Sequence, residues 1–223
     1  TDSLFIKNPT QNQIQTIIEQ AKIDHGVDLE IDKTYRYCVL SNRKKNYLGV
    51  TDSGKVDVKG LTGKKSHTPA FIKKLFFELL DVLSEVKTME DFVKAKKSIS
   101  EKIAVCGKKV QAKEIPLEDL TFNVMLSKAP SEYVKTIPQH IRAARQLESI
   151  KELKKGDKIS FIKILNKPGV KPVELAKKEE MDSKKYMEFL ESTLEQITSS
   201  MDLDFDTILG KPKQTGLDEF FWS

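Results

Sequence analysis

The sequence predicts an α+β fold: a small antiparallel sheet with helices, followed by a more helical half. Two observations predict it. Short extended segments come in pairs joined by tight turns, which suits antiparallel pairing. Long stretches with helical spacing follow those segments in blocks and not in regular alternation with them. With 223 residues, the chain is one large domain or two small ones.

The elements follow in order. Thr1 to Lys7 reads as the end of a strand, with Leu4 and Ile6 on one face and Phe5 on the other. Pro9 and Thr10 open a helix carrying Ile14, Ile17, Ile18 and Ala21 at helical spacing. Four extended segments come next: VDLEI, TYRYCVL, NYLGV and KVDVKGL. Thr51-Asp52-Ser53-Gly54 makes the last two a hairpin. Thr68-Pro69 starts a long helix whose apolar face holds Phe71, Leu75, Phe76, Leu79, Leu80 and Leu83, and a second helix runs from about Met89 to Val105. Composition shifts near Cys106-Gly107. A strand through Met125 and a helix from Pro138 to Ile150 follow. Then come the strands KISFIKIL and VKPVELA, joined by Asn166-Lys167-Pro168-Gly169. The last long helix, Ser183 to about Met201, sets Tyr186, Leu190, Leu194 and Ile197 on one stripe.

Composition excludes several classes. Apolar residues make up 39% and charged residues 32%, and no apolar run approaches a bilayer span. The opening TDSLFIKNPT lacks the basic-then-apolar pattern of a signal peptide, so a cytoplasmic protein with no membrane partner is expected. Cys38 and Cys106 are the only cysteines and read as reduced core thiols; the three histidines lie far apart, which excludes a zinc site made by this chain alone. Nine basic residues lie between Arg43 and Lys74 against Asp52 and Asp57, whereas the balance reverses beyond Met201. A polyanion partner and a solvated lysine-rich surface both fit that stretch.

Four constellations carry chemistry. Asp2, before the first strand, offers a hard carboxylate oxygen of the kind Mg²⁺ takes. Arg43-Lys44-Lys45-Asn46-Tyr47 sets three consecutive cations beside an aromatic with a polar tip, suited to phosphate neutralisation plus contact with sugar or base edges. At Pro138-Gln139-His140-Ile141-Arg142-Ala143-Ala144-Arg145, Arg142 and Arg145 share a helix face and could follow one phosphate strand; a surface helix burying Ile141 and Ala144 is compatible with this. The tail, Gln214-Thr215-Gly216-Leu217-Asp218-Glu219-Phe220-Phe221, puts Leu217, Phe220 and Phe221 on one side of a single helical turn, with Gln214 beside them as a hydrogen-bonding group.

Together these residues resemble the C-terminal part of an archaeal family B DNA polymerase. TDSLF resembles the second half of the motif YGDTDS, and RKKNY resembles the KKxY motif that grips the primer–template duplex. Gly54-Lys55 through Lys59-Gly60-Leu61 resembles the family's G-K-(I/V)-x-x-(R/K)-G-L. IPQHIRAARQLE, GDKISFIKIL and MDSKKYMEFLESTLEQI resemble successive thumb segments in the right order, and the tail resembles the clamp-binding (PIP) box.

The resemblance implies residues 1–105 completing the palm, 106–209 forming the thumb, and 210–223 a flexible clamp-binding tail. It makes Asp2 the second catalytic aspartate, a ligand of two shared Mg²⁺ ions, with Thr1 between the two aspartates. It puts Lys45 and Tyr47 on the primer-terminal duplex, with Arg43 and Lys44 on its backbone. Lys59, Lys64, Lys65, His140, Arg142 and Arg145 fall along the same DNA, and Gln214, Leu217, Phe220 and Phe221 on the sliding clamp (PCNA). The exonuclease, the fingers with their dNTP-binding lysines and the first catalytic aspartate are absent from this sequence. Two-metal phosphoryl transfer needs carboxylates this chain lacks, so it is expected to be inactive alone. The break inside the catalytic motif falls where polymerase inteins insert. That implies a split-gene enzyme, a heterodimer with a larger N-terminal piece acting at the nucleoid. The alternative is a non-catalytic DNA-binding accessory protein that recruits the clamp.

Overall fold

The computed structural model describes residues 3–40, 47–60, 63, 65 and 67–210. The chain divides into two compact units, Thr1–Tyr35 and Arg36–Ser223. The fold class is α+β, as the sequence predicts, with two three-stranded antiparallel sheets and helices.

The first unit contains helix α1 (Gln11–His25). Thr10 and Gln13 form a reciprocal capping box at its start, and Gly26 ends it in the left-handed region, donating to the carbonyls of Ala21 and Lys22. Residues 3–8 and the VDLEI segment are not strands. A strand needs a hydrogen-bonded neighbour, and no described segment of the chain pairs with either one.

The second unit opens with β1 (Tyr37–Leu40), β2 (Tyr47–Val50) and β3 (Val56–Lys59), in that spatial order. Val39, Leu48 and Val50 are buried on one face, which packs into the same core as α2 (Ala70–Ser84). Seven residues of α2 are buried, from Phe71 to Leu83. The carbonyls left over at its C-terminus are satisfied from the sheet: the Tyr37 hydroxyl donates to Leu83, and Arg36 donates to Ser84 at 2.7 Å. Burial pushes the Tyr37 phenol up to about 12, so it stays a donor at any physiological pH.

Helix α3 (Met89–Gln111) starts at a Thr88–Asp91 capping box and runs past Val105 for almost two more turns. Cys106-Gly107 does not break it. Gly107 is buried where the Leu209 side chain would lie 2.4 Å from an added Cβ, so the glycine serves close packing and not a turn. Sheet two comprises β4 (Phe122–Met125), β5 (Lys158–Lys163) and β6 (Val170–Pro172). Beside it lies α4 (Gln139–Arg145), which ends sooner than its apolar spacing predicts. The Gln146 amide donates to the carbonyls of Arg142 and Val170, both at 3.0 Å, and i→i+3 bonds then tighten residues 147–150 into turns. Helix α5 (Ser183–Thr198) buries Tyr186, Leu190, Leu194 and Ile197 as its stripe predicts. A short α6 (Phe205–Ile208), capped by Asp204, is an element the sequence reading did not anticipate.

A continuous core joins both sheets to α2, α3 and α5. Tyr186 is its fastening point. Its hydroxyl donates to the Leu120 carbonyl at 2.6 Å and accepts from the Lys163 N–H at 3.2 Å, while its ring lies against Phe71 and Phe122. Tyr186→Phe keeps the ring but removes both bonds. The expected result is a loss of about 1–3 kcal/mol in urea unfolding with the fold retained, and an unchanged midpoint would remove Tyr186 from this role.

Candidate nucleic-acid interface

The antiparallel register decides which side chains share the outer face of the first sheet. Leu40 faces Tyr47 across β1 and β2, and Tyr47 faces Lys59 across β2 and β3. Directly opposed residues point to the same side, so these three form one row at the end of the sheet where β2 begins. Two residues drawn from separate sequence motifs, Tyr47 and Lys59, are thereby brought side by side. The next row holds Cys38, Gly49 and Asp57.

The turn that sets this register is firmly bonded. The Thr51 N–H donates to the Lys55 carbonyl at 3.0 Å, and the Thr51 hydroxyl accepts from the Lys55 N–H at 3.1 Å. Gly54 occupies the left-handed region at φ 81°, where a side chain would be strained. With the turn fixed, a slip by one residue would bury Lys59 and expose Val58, so the valines on the core face hold Lys59 outward.

Beyond β3, Gly63 is buried against the Phe76 ring, where an added Cβ would meet ring carbons at 2.4 Å. This contact holds Gly63 against α2. Lys65 is exposed, and its carbonyl accepts from the Thr68 N–H at 3.2 Å just before α2 begins. The sequence reading passed over Gly63. The signal was its place between Lys59 and the Lys64-Lys65 pair.

The second cluster has a different character. Arg145 donates to the carbonyls of Tyr133 at 2.8 Å and Pro130 at 3.2 Å, and Arg142 donates to the Pro168 carbonyl at 2.9 Å. Both guanidinium groups therefore tie loops to α4, and their charge is partly buried. The half-buried His140 ring meets Tyr133 edge to face with centroids 6.3 Å apart, and burial lowers its pKa. At neutral pH it is an uncharged hydrogen-bonding group and not a cation. Lys128, which the sequence reading did not single out, lies 4.5 Å over the Tyr133 ring.

On the second sheet, the Lys163 ammonium sits 5.0 Å from the Phe122 ring and 5.3 Å from the Phe189 ring. Burial, then the nearby Lys185 charge, lower its pKa. The thiols of Cys38 and Cys106 are free, and burial raises the pKa of both, to about 11 for Cys106; neither has the lowered pKa of a reactive thiolate.

Thr1, Asp2, Arg43, Lys44, Lys45, Lys64 and the tail residues Gln214, Leu217, Phe220 and Phe221 lie outside the described residues. Among the described residues, no three His, Cys, Asp or Glu side chains cluster to hold a metal ion. Nor is any described helix long and apolar enough to cross a membrane.

The described outer face of the first sheet carries Tyr47 and Lys59 side by side, and it shares a core with a helical half; comparison with known proteins gives the class a name. Residues 1–207 match DNA polymerase family B, and the chain belongs to that family. It is 40% identical over 224 residues to DNA polymerase 1 of Sulfolobus acidocaldarius, covering 100% of this chain and 25% of that protein. To DNA polymerase 1 of Saccharolobus solfataricus it is 41% identical over 222 residues, covering 99% and 25%. The solved family B DNA polymerase from the hyperthermophilic archaeon Pyrobaculum calidifontis shares the fold, with a TM-score of 0.60 over 84% of this chain and 25% of that one, at 18% identity. The chain thus spans about a quarter of the length of the curated relatives it matches.

Proposed function

We propose that this chain is the C-terminal palm and thumb portion of a DNA-directed DNA polymerase, working with the remaining polymerase polypeptide as a heterodimer. The observation that carries the reading is the Tyr47–Lys59 row on the solvent face of the first sheet, within a chain related over its whole length to DNA polymerases. In this reading the sheet face and the preceding Arg43–Lys45 segment grip the primer–template duplex. Lysines neutralise phosphates, and Tyr47 contacts sugar or base edges. Residues 1–105 complete the palm, residues 106–209 are the thumb, and α3 runs between them as a shared strut.

Arg142 and Arg145 serve this function by holding the Pro130–Tyr133 and Pro168 loops in place beside the duplex, with His140 and Lys128 at the same surface. Asp2 supplies one hard carboxylate ligand. Its chemistry fits Mg²⁺, but a two-ion site also needs ligands from the rest of the polymerase. When bound, the ions stabilise charge on the attacking and leaving oxygens of nucleotidyl transfer from dNTP. The tail from Gln214 to Phe221 tethers the assembly to the sliding clamp.

Lys59→Ala in the assembled enzyme tests the interface. Loss of one phosphate contact is expected to weaken primer–template binding and to lower the slope of log affinity against log salt by about 1. Fluorescence anisotropy across a salt series reads both. An unchanged slope would remove Lys59 from the DNA. Tyr47→Ala should weaken binding with the slope kept, because it removes no charge.

A further inference from the structure

Helices α3 and α6 leave a hollow between them within the second unit. Ala104, Lys108 and Gln111 line one side, and Ile208, Leu209 and Gly210 line the other. Leu209 is anchored there by its packing on Gly107. The hollow measures about 170 Å³, below the roughly 300–1,000 Å³ of a small-molecule pocket, and suits one or two apolar side chains. Val105, one turn before Lys108 and Lys109 on α3, leaves further apolar surface 54% exposed. Lys108 is the one charged residue among the described lining, and the exposed Lys109 follows it, so the rim on α3 is positive.

The segment that follows α6 fits this place. Gly210 lines the hollow and adopts the left-handed region at φ 69°, so the chain leaves α6 at the hollow's own edge. Six residues separate Gly210 from Leu217, and the sequence then reads Leu217-Asp218-Glu219-Phe220-Phe221. Its apolar side chains match the wall of Ala104, Ile208 and Leu209, and its two carboxylates match the lysine rim. A DNA strand would meet the lysines but cover none of the apolar wall. A linker this short holds the segment at an effective concentration on the order of millimolar, ahead of any free partner.

We infer that the hollow between α3 and α6 receives this chain's own segment 217–221, with an apolar side chain seated against Leu209 and with Asp218 and Glu219 beside Lys108 and Lys109. The inference rests on the reading of the tail as the clamp tether and adds its regulation. The side chains that fill the hollow are those the clamp takes, so the two states exclude one another. Docking lowers the apparent clamp affinity by the fraction of molecules in which the tail is free, and the clamp draws the tail out by mass action. While no clamp is present, docking also covers aromatic side chains that water would otherwise surround.

Trp222, the single tryptophan, adjoins Phe221 and reports the state of the tail. Acrylamide quenching of its fluorescence is compared in the full chain, in a free peptide of residues 211–223, and in the full chain with Lys108→Glu and Lys109→Glu. Both lysines are exposed, so their reversal leaves the fold intact, which circular dichroism checks. The parent is expected to protect Trp222, and the reversed chain to be quenched as readily as the peptide. Clamp affinity should rise about threefold or more in the reversed chain. Asp218→Lys with Glu219→Lys, added to that chain, is expected to restore protection of Trp222. Parent quenching equal to the peptide's, or protection that survives the lysine reversal, would overturn the inference and leave the clamp reading standing. Protection that grows with chain concentration would put the tail in a second copy's hollow and overturn the choice of occupant. If neither the full chain nor the peptide binds the clamp, the tether reading beneath the inference fails.

Discussion

Asp2→Ala in the enzyme assembled from this chain and the larger polymerase piece is expected to abolish primer extension while duplex binding survives. In the proposed site the Asp2 carboxylate would help hold an ion whose charge would offset that developing on the transferring phosphoryl group, an effect worth several kcal/mol. At 1.36 kcal/mol per tenfold, that is a rate loss of about a thousandfold or more. Single-turnover extension on a bound primer reads the chemistry, and anisotropy on the same duplex reads binding. The two must separate. Extension retained within tenfold would remove Asp2 from the ion site, and a parallel loss of DNA binding would make it structural.

Phe220→Ala with Phe221→Ala is expected to remove stimulation by the sliding clamp and to leave clamp-free extension as it was. Buried aromatic anchors of this kind contribute about 2–4 kcal/mol each at an interface, so clamp affinity should fall about a hundredfold or more. The kinetic consequence is on product length and not on chemistry, because tethering raises the effective concentration of the primer end. Extension assayed with and without clamp, on long templates, distinguishes the two. Equal loss in both conditions would contradict the tail's proposed role.

The legible parts of the sequence were those where local pattern and packing agree. The stripes of α2 and α5 matched the buried faces because each pairs a full apolar period with a large partner surface. The hairpin turn at Thr51–Gly54 was readable too, and the Tyr47–Lys59 pairing follows from it by counting outward along the strands. Spacing does not show which distant groups a segment meets. Residues 3–8 and VDLEI carry strand-like alternation, but a strand needs a neighbour that no described part of the chain provides. Spacing shows that Arg142 and Arg145 share a helix face; it does not show that carbonyls of Pro168, Pro130 and Tyr133 stand in front of them. Nor does spacing show that Leu209, about a hundred residues away in sequence, packs onto Gly107 within a helix that runs on past Val105.

The central claim is that this chain completes a polymerase site it cannot form alone. Primer extension with Mg²⁺ and dNTPs tests it most directly, using this chain, the larger polymerase piece, and the two mixed. The predicted result is no extension by this chain alone and strong extension on mixing, lost again with Asp2→Ala. Extension by the larger piece that does not change when this chain is added would contradict the claim and leave a DNA-binding accessory protein in its place.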